Sequence, residues 1–374
     1  MTDLKYWIGF TLIPGIGRVR FSRLQQHFGE MERAWNAGAD ELEAAGLDDK
    51  STKSIINHRP KVSLDAEMEK LERYKVTALT LKDEAYPSRL KETYDPPPVL
   101  YIRGRLTAED EWAVAVVGTR RPTYYGREVT ARIAGDLARN RITVVSGLAK
   151  GIDAAAHRAA LDAGGRTIAV LGCGLDIVYP ADHAKLARET MEHGALVSEL
   201  PLGTPPKREN FPLRNRIMSG ISLGVLVVEA DEKSGARITA DRALEQDREV
   251  FAVPGSVLSP MSRLTNKLIQ EGAKLVRGAD DIMEELNLTM AVQQAEAKEL
   301  IPATETESAI LQILRNFSPE PMHIDEVGRQ TCMPIATISS TLSMMELKGM
   351  VKQVGGMNYI VAREAREEYR VRVE

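Results

Sequence analysis

Between Trp112 and Gly255 the chain passes through six short apolar runs, separated by segments with helical spacing. The first, Ala113-Val114-Ala115-Val116-Val117, ends at Gly118; the others cover 142–145, 167–171, 195–197, 224–228 and 249–253. These runs do not alternate with polar residues, so both faces of each strand must be covered, and segments such as 127–139 and 152–161 have the pattern of covering helices. The arrangement predicts an α/β class with a doubly wound, mostly parallel sheet. Such sheets bind ligands beyond the carboxyl ends of their strands, where loops enter helix N-termini. Gly118, Gly147 and the loop after Val228 are therefore expected to face one crevice.

Three loops of that crevice have chemical potential. Gly118-Thr119-Arg120-Arg121 follows a strand; its glycine lets a phosphate approach the backbone, and Arg120 offers a bidentate fork. Arg120 stands where a dinucleotide fingerprint would need its second glycine. The second loop, Ser146-Gly147-Leu148-Ala149-Lys150-Gly151, lacks the ending of a P-loop, so nothing supports ATP hydrolysis. In the third, Ser234-Gly235 opens a helix. A fourth feature, Pro205 to Arg216, sets four cations against one acid in a chain of net charge −4. Lys207, Arg208, Arg214 and Arg216 around Phe211 suit an unpaired nucleic-acid strand, with cations on phosphates and a ring beneath a base. The same residues equally describe a solvated loop capping a helix over 217–222.

Two catalytic-looking sets have plainer readings. Asp153 and His157 lie one helical turn apart, a metal-ligand spacing without an evident third ligand, and also an ordinary helical surface pair. Glu229-Ala230-Asp231 could be an acid/base pair; it could equally orient Arg237 or cap the helix after Gly235. No Ser/His/Asp or Cys/His set is apparent, and no cofactor is expected.

Outside the centre, residues 1–85 read as a small helical domain in which Pro14-Gly15-Ile16-Gly17 joins two short helices. That turn resembles a helix-hairpin-helix element, which offers backbone N–H groups to a DNA phosphate; a tight helix connection would use the same glycines. Residues 86–111 form a proline-rich connector carrying a short strand at 99–102, and 112–286 form the sheet domain. Residues 287–307 read as an acidic flexible linker. Residues 308–374 predict three helices and a Gly-Gly hairpin, a winged helix whose third helix, 335–348, has almost no basic residues. Protein contact and DNA contact both remain open for it.

Composition narrows the class. Hydrophobic residues make up 43% and charged residues 27% of the chain, as in a soluble globular protein. An acidic balance excludes a broadly basic nucleic-acid binder, so any anionic partner must be held by a local cluster. Cys173 and Cys332 match no ligand spacing and are expected to be reduced and buried, as in the cytoplasm. The N-terminus does not look like a signal peptide, and no apolar stretch approaches the roughly 20 residues of a membrane span.

Several motifs in order resemble the DprA/Smf family of DNA-processing proteins. They are Val116-Val117-Gly118-Thr119-Arg120, Ser146 to Asp153 with Ala156-His157, Phe211 to Ile217, Ser234 to Ala240, and Val253-Pro254-Gly255. The resemblance implies a Rossmann-like domain, a SAM-like or helix-hairpin-helix-like N-terminal domain and an accessory winged helix. It also implies a homodimeric, non-enzymatic protein that binds single-stranded DNA and loads the RecA recombinase onto it during natural transformation. The DNA-binding residues expected from loops and resemblance together are Gly118, Thr119, Arg120, Ser146, Gly147, Lys150, Lys207, Phe211, Arg214, Asn215, Arg216, Ser234 and Gly235. The rival is a nucleotide-handling enzyme of the phosphoribohydrolase group. Its Pro-Gly-Gly-x-Gly-Thr-x-x-Glu loop is absent; the nearest element is Val253-Pro254-Gly255-Ser256.

Overall fold

The computed structural model describes residues 3–288, 304–317, 320–331, 333–347 and 350–361. The chain divides into two compact units, Met1–Leu286 and Asn287–Glu374.

The first unit is built on a nine-stranded sheet: β1 Thr77–Thr80, β2 Val99–Gly104, β3 Ala113–Val117, β4 Thr143–Ser146, β5 Thr167–Val170, β6 Gly194–Ser198, β7 Gly224–Val227, β8 Glu249–Ala252 and β9 Lys274–Leu275. Their order is β1-β2-β6-β5-β4-β3-β7-β8-β9. From β6 to β9 all pairings are parallel, while β1 and β2 join antiparallel. All five residues of β3 are buried, as are all four of β4, because helices or loops cover both faces. Helix Ala184–Glu192 and the N-terminal helices pack on one face, and helices Asn210–Ile221, Gly235–Glu245 and Arg263–Gln270 pack on the other.

β3 is flanked by β4 on one side and β7 on the other. The chain therefore reverses direction across the sheet between β3 and β7, the place at the carboxyl ends of the strands where doubly wound sheets bind their ligands.

The expected boundary around 86–111 is not a domain boundary. β1 falls inside the segment expected to form a small helical domain, and β2 lies between β1 and β6 as an internal strand. The apolar residues of the N-terminal helices share a core with the sheet: Trp7, Phe10 and Phe21 join Tyr101 and Leu196. The Thr11 hydroxyl also meets the Tyr101 hydroxyl at 2.9 Å. The prolines bend the chain without freeing it, since Tyr86 donates to the Pro97 carbonyl at 2.8 Å.

The second unit contains helices Glu305–Phe317, Ile324–Thr331 and Ile335–Leu347, with β10 Met322–His323, β11 Val351–Gln353 and β12 Asn358–Val361 in the antiparallel order β10-β12-β11. This is the expected three-helix and hairpin arrangement plus a two-residue strand, β10, too short to show a period in sequence. Ile338, Leu342 and Met345 of the third helix enter its core. Most of the expected linker, and Cys332, lie outside the described residues.

Candidate nucleic-acid interface

At the reversal point the loops after β3 and β7 are pinned together. Thr119 N–H donates to the Glu229 carbonyl at 2.6 Å, and Ile152 N–H donates to the Thr119 carbonyl at 3.1 Å. A Cβ on Gly118 would come within 2.6 Å of Ile152 and 2.7 Å of the Glu229 carbonyl, so only glycine permits this approach. The buried Glu229 carboxylate accepts from Thr123 N–H at 2.8 Å and from the Thr123 hydroxyl at 2.6 Å. That hydroxyl in turn accepts from Gly126 N–H at 3.1 Å, capping helix Tyr124–Arg139. Glu229 thus sits as an anion at a helix N-terminus, where the aligned peptide dipoles favour it. It neither forms an acid/base pair nor orients Arg237, which reaches Asp241 and Glu271 instead. Ser234 caps its own helix through Ala236 N–H at 3.3 Å.

Asp153 and His157 fasten the second loop rather than a metal. Asp153 accepts from Gly147 and Ala149 N–H at 3.1 and 3.4 Å. His157 Nε2 accepts from Leu148 N–H at 3.3 Å, while its Nδ1 lies 2.7 Å from the Thr167 hydroxyl. Thr167 donates its proton to the Val144 carbonyl, so its oxygen is left to accept and the imidazole is the neutral Nδ1–H tautomer. Burial pushes the His157 pKa down to about 3, helped by Arg214 and His183 nearby. Burial also raises that of Asp153, opposed by Arg214. Among the described residues no group of three or more His, Cys, Asp or Glu could hold a metal. Ser146 is equally internal, donating to the Val116 carbonyl at 2.6 Å from a fully buried position.

Phe211, Arg214, Asn215 and Arg216 lie in a helix that starts at Asn210, earlier than the sequence pattern indicates. Pro212 hides that start; a proline fits the first turn because its missing N–H has no helical acceptor there. The turn splits the cations by role. Arg214 points inward and is buried, donating to the carbonyls of Gly147 at 2.8 Å and of Val170. Asn215 accepts from Arg214 Nε at 3.1 Å and reaches the Gly235 carbonyl at 3.4 Å, tying in the third loop. Arg216 turns away from the crevice to Glu199 and Asp95. Burial raises the pKa of Glu199, and the Arg216 charge opposes that shift.

Residues 77–287 match the family described as DNA recombination-mediator protein A, and 294–357 match the DprA winged helix domain. Protein Smf of Synechocystis is 35% identical across 96% of this chain and 98% of its own length. The chain belongs to the DprA/Smf family of DNA-processing proteins. Protein Smf of Escherichia coli is 38% identical over 87% of each chain. The solved DprA of Streptococcus pneumoniae aligns with a TM-score of 0.65 at 36% identity, over 75% of this chain and 96% of that one. A Helicobacter pylori DprA, solved for its single-stranded DNA binding mode, aligns with a TM-score of 0.52 at 32% identity, over 57% and 96%.

Seen as a DprA/Smf protein, the chain keeps part of its expected binding set at the surface. Arg120, Arg121, Lys207 and Arg208 are exposed and form no ion pair among the described residues. Arg120 holds its guanidinium 5.8 Å from the centroid of the half-buried Phe211 ring, and Arg214 supports that ring from 6.0 Å. Lys150 is exposed but engaged with Asp182 at 2.7 Å. Thr119 accepts from Arg121 N–H at 3.2 Å, and Gly235 is open. Sequence reasoning missed Tyr179, whose ring lies against Phe211; a lone tyrosine before a proline carries no pattern to find it by. At the N-terminal turn the cations are already engaged: Arg20 with the Gly15 carbonyl and Asp48, Arg23 with the Gly46 carbonyl, and Arg18 over the Tyr94 ring. Among the described residues no helix is long and apolar enough to cross a membrane.

Proposed function

We propose that this protein binds single-stranded DNA largely without sequence preference and, as a homodimer in the cytoplasm, delivers the strand to the RecA recombinase during DNA uptake and recombination. The observation that carries this reading is a half-exposed aromatic ring, Phe211, beside Arg120, an exposed guanidinium that forms no ion pair among the described residues. Rings that stack on any base and cations that follow phosphates bind strands irrespective of sequence. The Helicobacter pylori relative, solved for single-stranded DNA binding, supports the ligand. RecA delivery and the dimer rest on the family resemblance.

An enzymatic reading has little to work with. Glu229, at the end of β7, is occupied as a helix cap, Asp153 is held by the Gly147 and Ala149 N–H groups, and the Ser146 hydroxyl is spent within the sheet. Salt titrations with single-stranded and duplex oligonucleotides of unrelated sequence test the proposal. Tighter, sequence-indifferent binding to single strands, with affinity falling linearly in log–log salt, is expected. Preference for one duplex sequence, or turnover of nucleoside monophosphates, would contradict it.

A further inference from the structure

Phe211 does not stand alone at the crevice. Tyr179, in the segment after β5, holds its ring centroid 5.7 Å from that of Phe211 with the planes inclined at 37°. Its surface is 43% exposed. Cations lie near the pair: Arg120 approaches the Phe211 ring, and Lys150 is held at 2.7 Å by Asp182, three residues beyond Tyr179.

The spacing restricts what the rings can do. A base clamped between two rings needs two contact gaps, about 7 Å in all. The observed 5.7 Å is too narrow for that, so no base enters between the rings and each can stack a base only on its other face. Neighbouring nucleotides along one strand of B-form DNA are spaced by about 3.4 Å. Two bases resting on centres 5.7 Å apart must be spread beyond that spacing, which an unpaired strand tolerates and a stacked duplex does not.

We propose that Tyr179 is a second base-stacking position. Consecutive bases of a single strand rest on Phe211 and Tyr179, Arg120 takes a flanking phosphate, and Lys150 exchanges Asp182 for the next phosphate. This rests on the single-strand reading of the Phe211 face, deepens it to two adjacent subsites, and ties strand preference to ring spacing.

The test uses full-length protein with oligo-dT and with an abasic oligonucleotide of equal length, and compares wild type with Tyr179→Trp, Tyr179→Leu and Phe211→Ala. Tyr179→Trp keeps an aromatic face at the position and serves as a reporter of stacking. Its emission, beyond that of the 3 native tryptophans, should change with oligo-dT and not with the abasic strand. Tyr179→Leu covers Phe211 without a π-face and should weaken oligo-dT binding about tenfold at an unchanged melting temperature. Wild-type binding by Tyr179→Leu, with a silent Tyr179→Trp signal and a weakened Phe211→Ala, would remove Tyr179 and leave the single-strand reading intact. Wild-type binding by both Tyr179→Leu and Phe211→Ala would overturn both.

Discussion

Arg214 donates to the carbonyl of Gly147 at 2.8 Å, and its guanidinium fills the space that a Cβ on Gly147 would occupy. One buried cation therefore ties the loop after β4 to the helix that presents Phe211. Its charge is tolerated because carbonyl oxygens and Asp153 surround it.

Arg214→Ala should destabilise the first unit by about 3–5 kcal/mol, because the carbonyls and Asp153 lose their buried partner. Gly147→Ala forces the guanidinium aside and should cost about 1–3 kcal/mol. Urea denaturation of each variant measures both. In either case the folded fraction should keep the wild-type salt dependence of strand binding, since Arg214 has no exposed face to offer a phosphate.

Arg216 is expected to act on stability and not on binding. It is the partner of the partly buried Glu199, so Arg216→Ala should cost about 1–3 kcal/mol, less than for a fully buried pair, and pairing it with Glu199→Leu should recover much of the loss. A double-mutant cycle by chemical denaturation checks the coupling. A reduced salt slope for single-stranded DNA in the single variant would place Arg216 on the strand after all.

His157 makes the first unit acid-sensitive. Its folded pKa of about 3 lies below the ordinary histidine value of 6.5. The unfolded chain therefore binds more protons between the two, and stability is complete above about pH 6.5 and falls as pH drops toward 3. The slope approaches about 1.4 kcal/mol per pH unit within that window. Denaturation at pH 7, 6 and 5 should show the decline, and His157→Gln, which stays neutral, should flatten that component.

How far the sequence reaches depends on where each partner lies. The runs of β3 to β8 are legible because parallel strands covered on both faces are apolar throughout. β9, two exposed residues, has no such mark. β2 was legible as a short apolar stretch but its place in the sheet was not, since Tyr101 shares a core with Trp7 and Phe10 from a distant segment; β1, four residues inside a helical region, was not legible at all. Within the site, Arg120 and Phe211 were legible as a loop cation and a ring in a basic segment. The inward turn of Arg214 was not, because its partners at Gly147 and Val170 are backbone carbonyls, and every residue has one. Likewise, nothing near Arg216 in sequence announces Glu199 or Asp95.

Arg120 is where a phosphate contact and a purely structural role part. It is exposed, unpaired among the described residues and set over Phe211 at the reversal point of the sheet. Glu229, which could have neutralised it, is engaged by Thr123. The measurement is the salt slope of oligo-dT binding by Arg120→Ala, taken with the melting temperature of the same preparation. An unchanged melting temperature is expected together with a slope smaller by about 0.7, the loss of one phosphate contact on a single strand, with Arg120→Lys restoring the slope but only part of the affinity. A wild-type slope accompanied by a lowered melting temperature would contradict the phosphate contact.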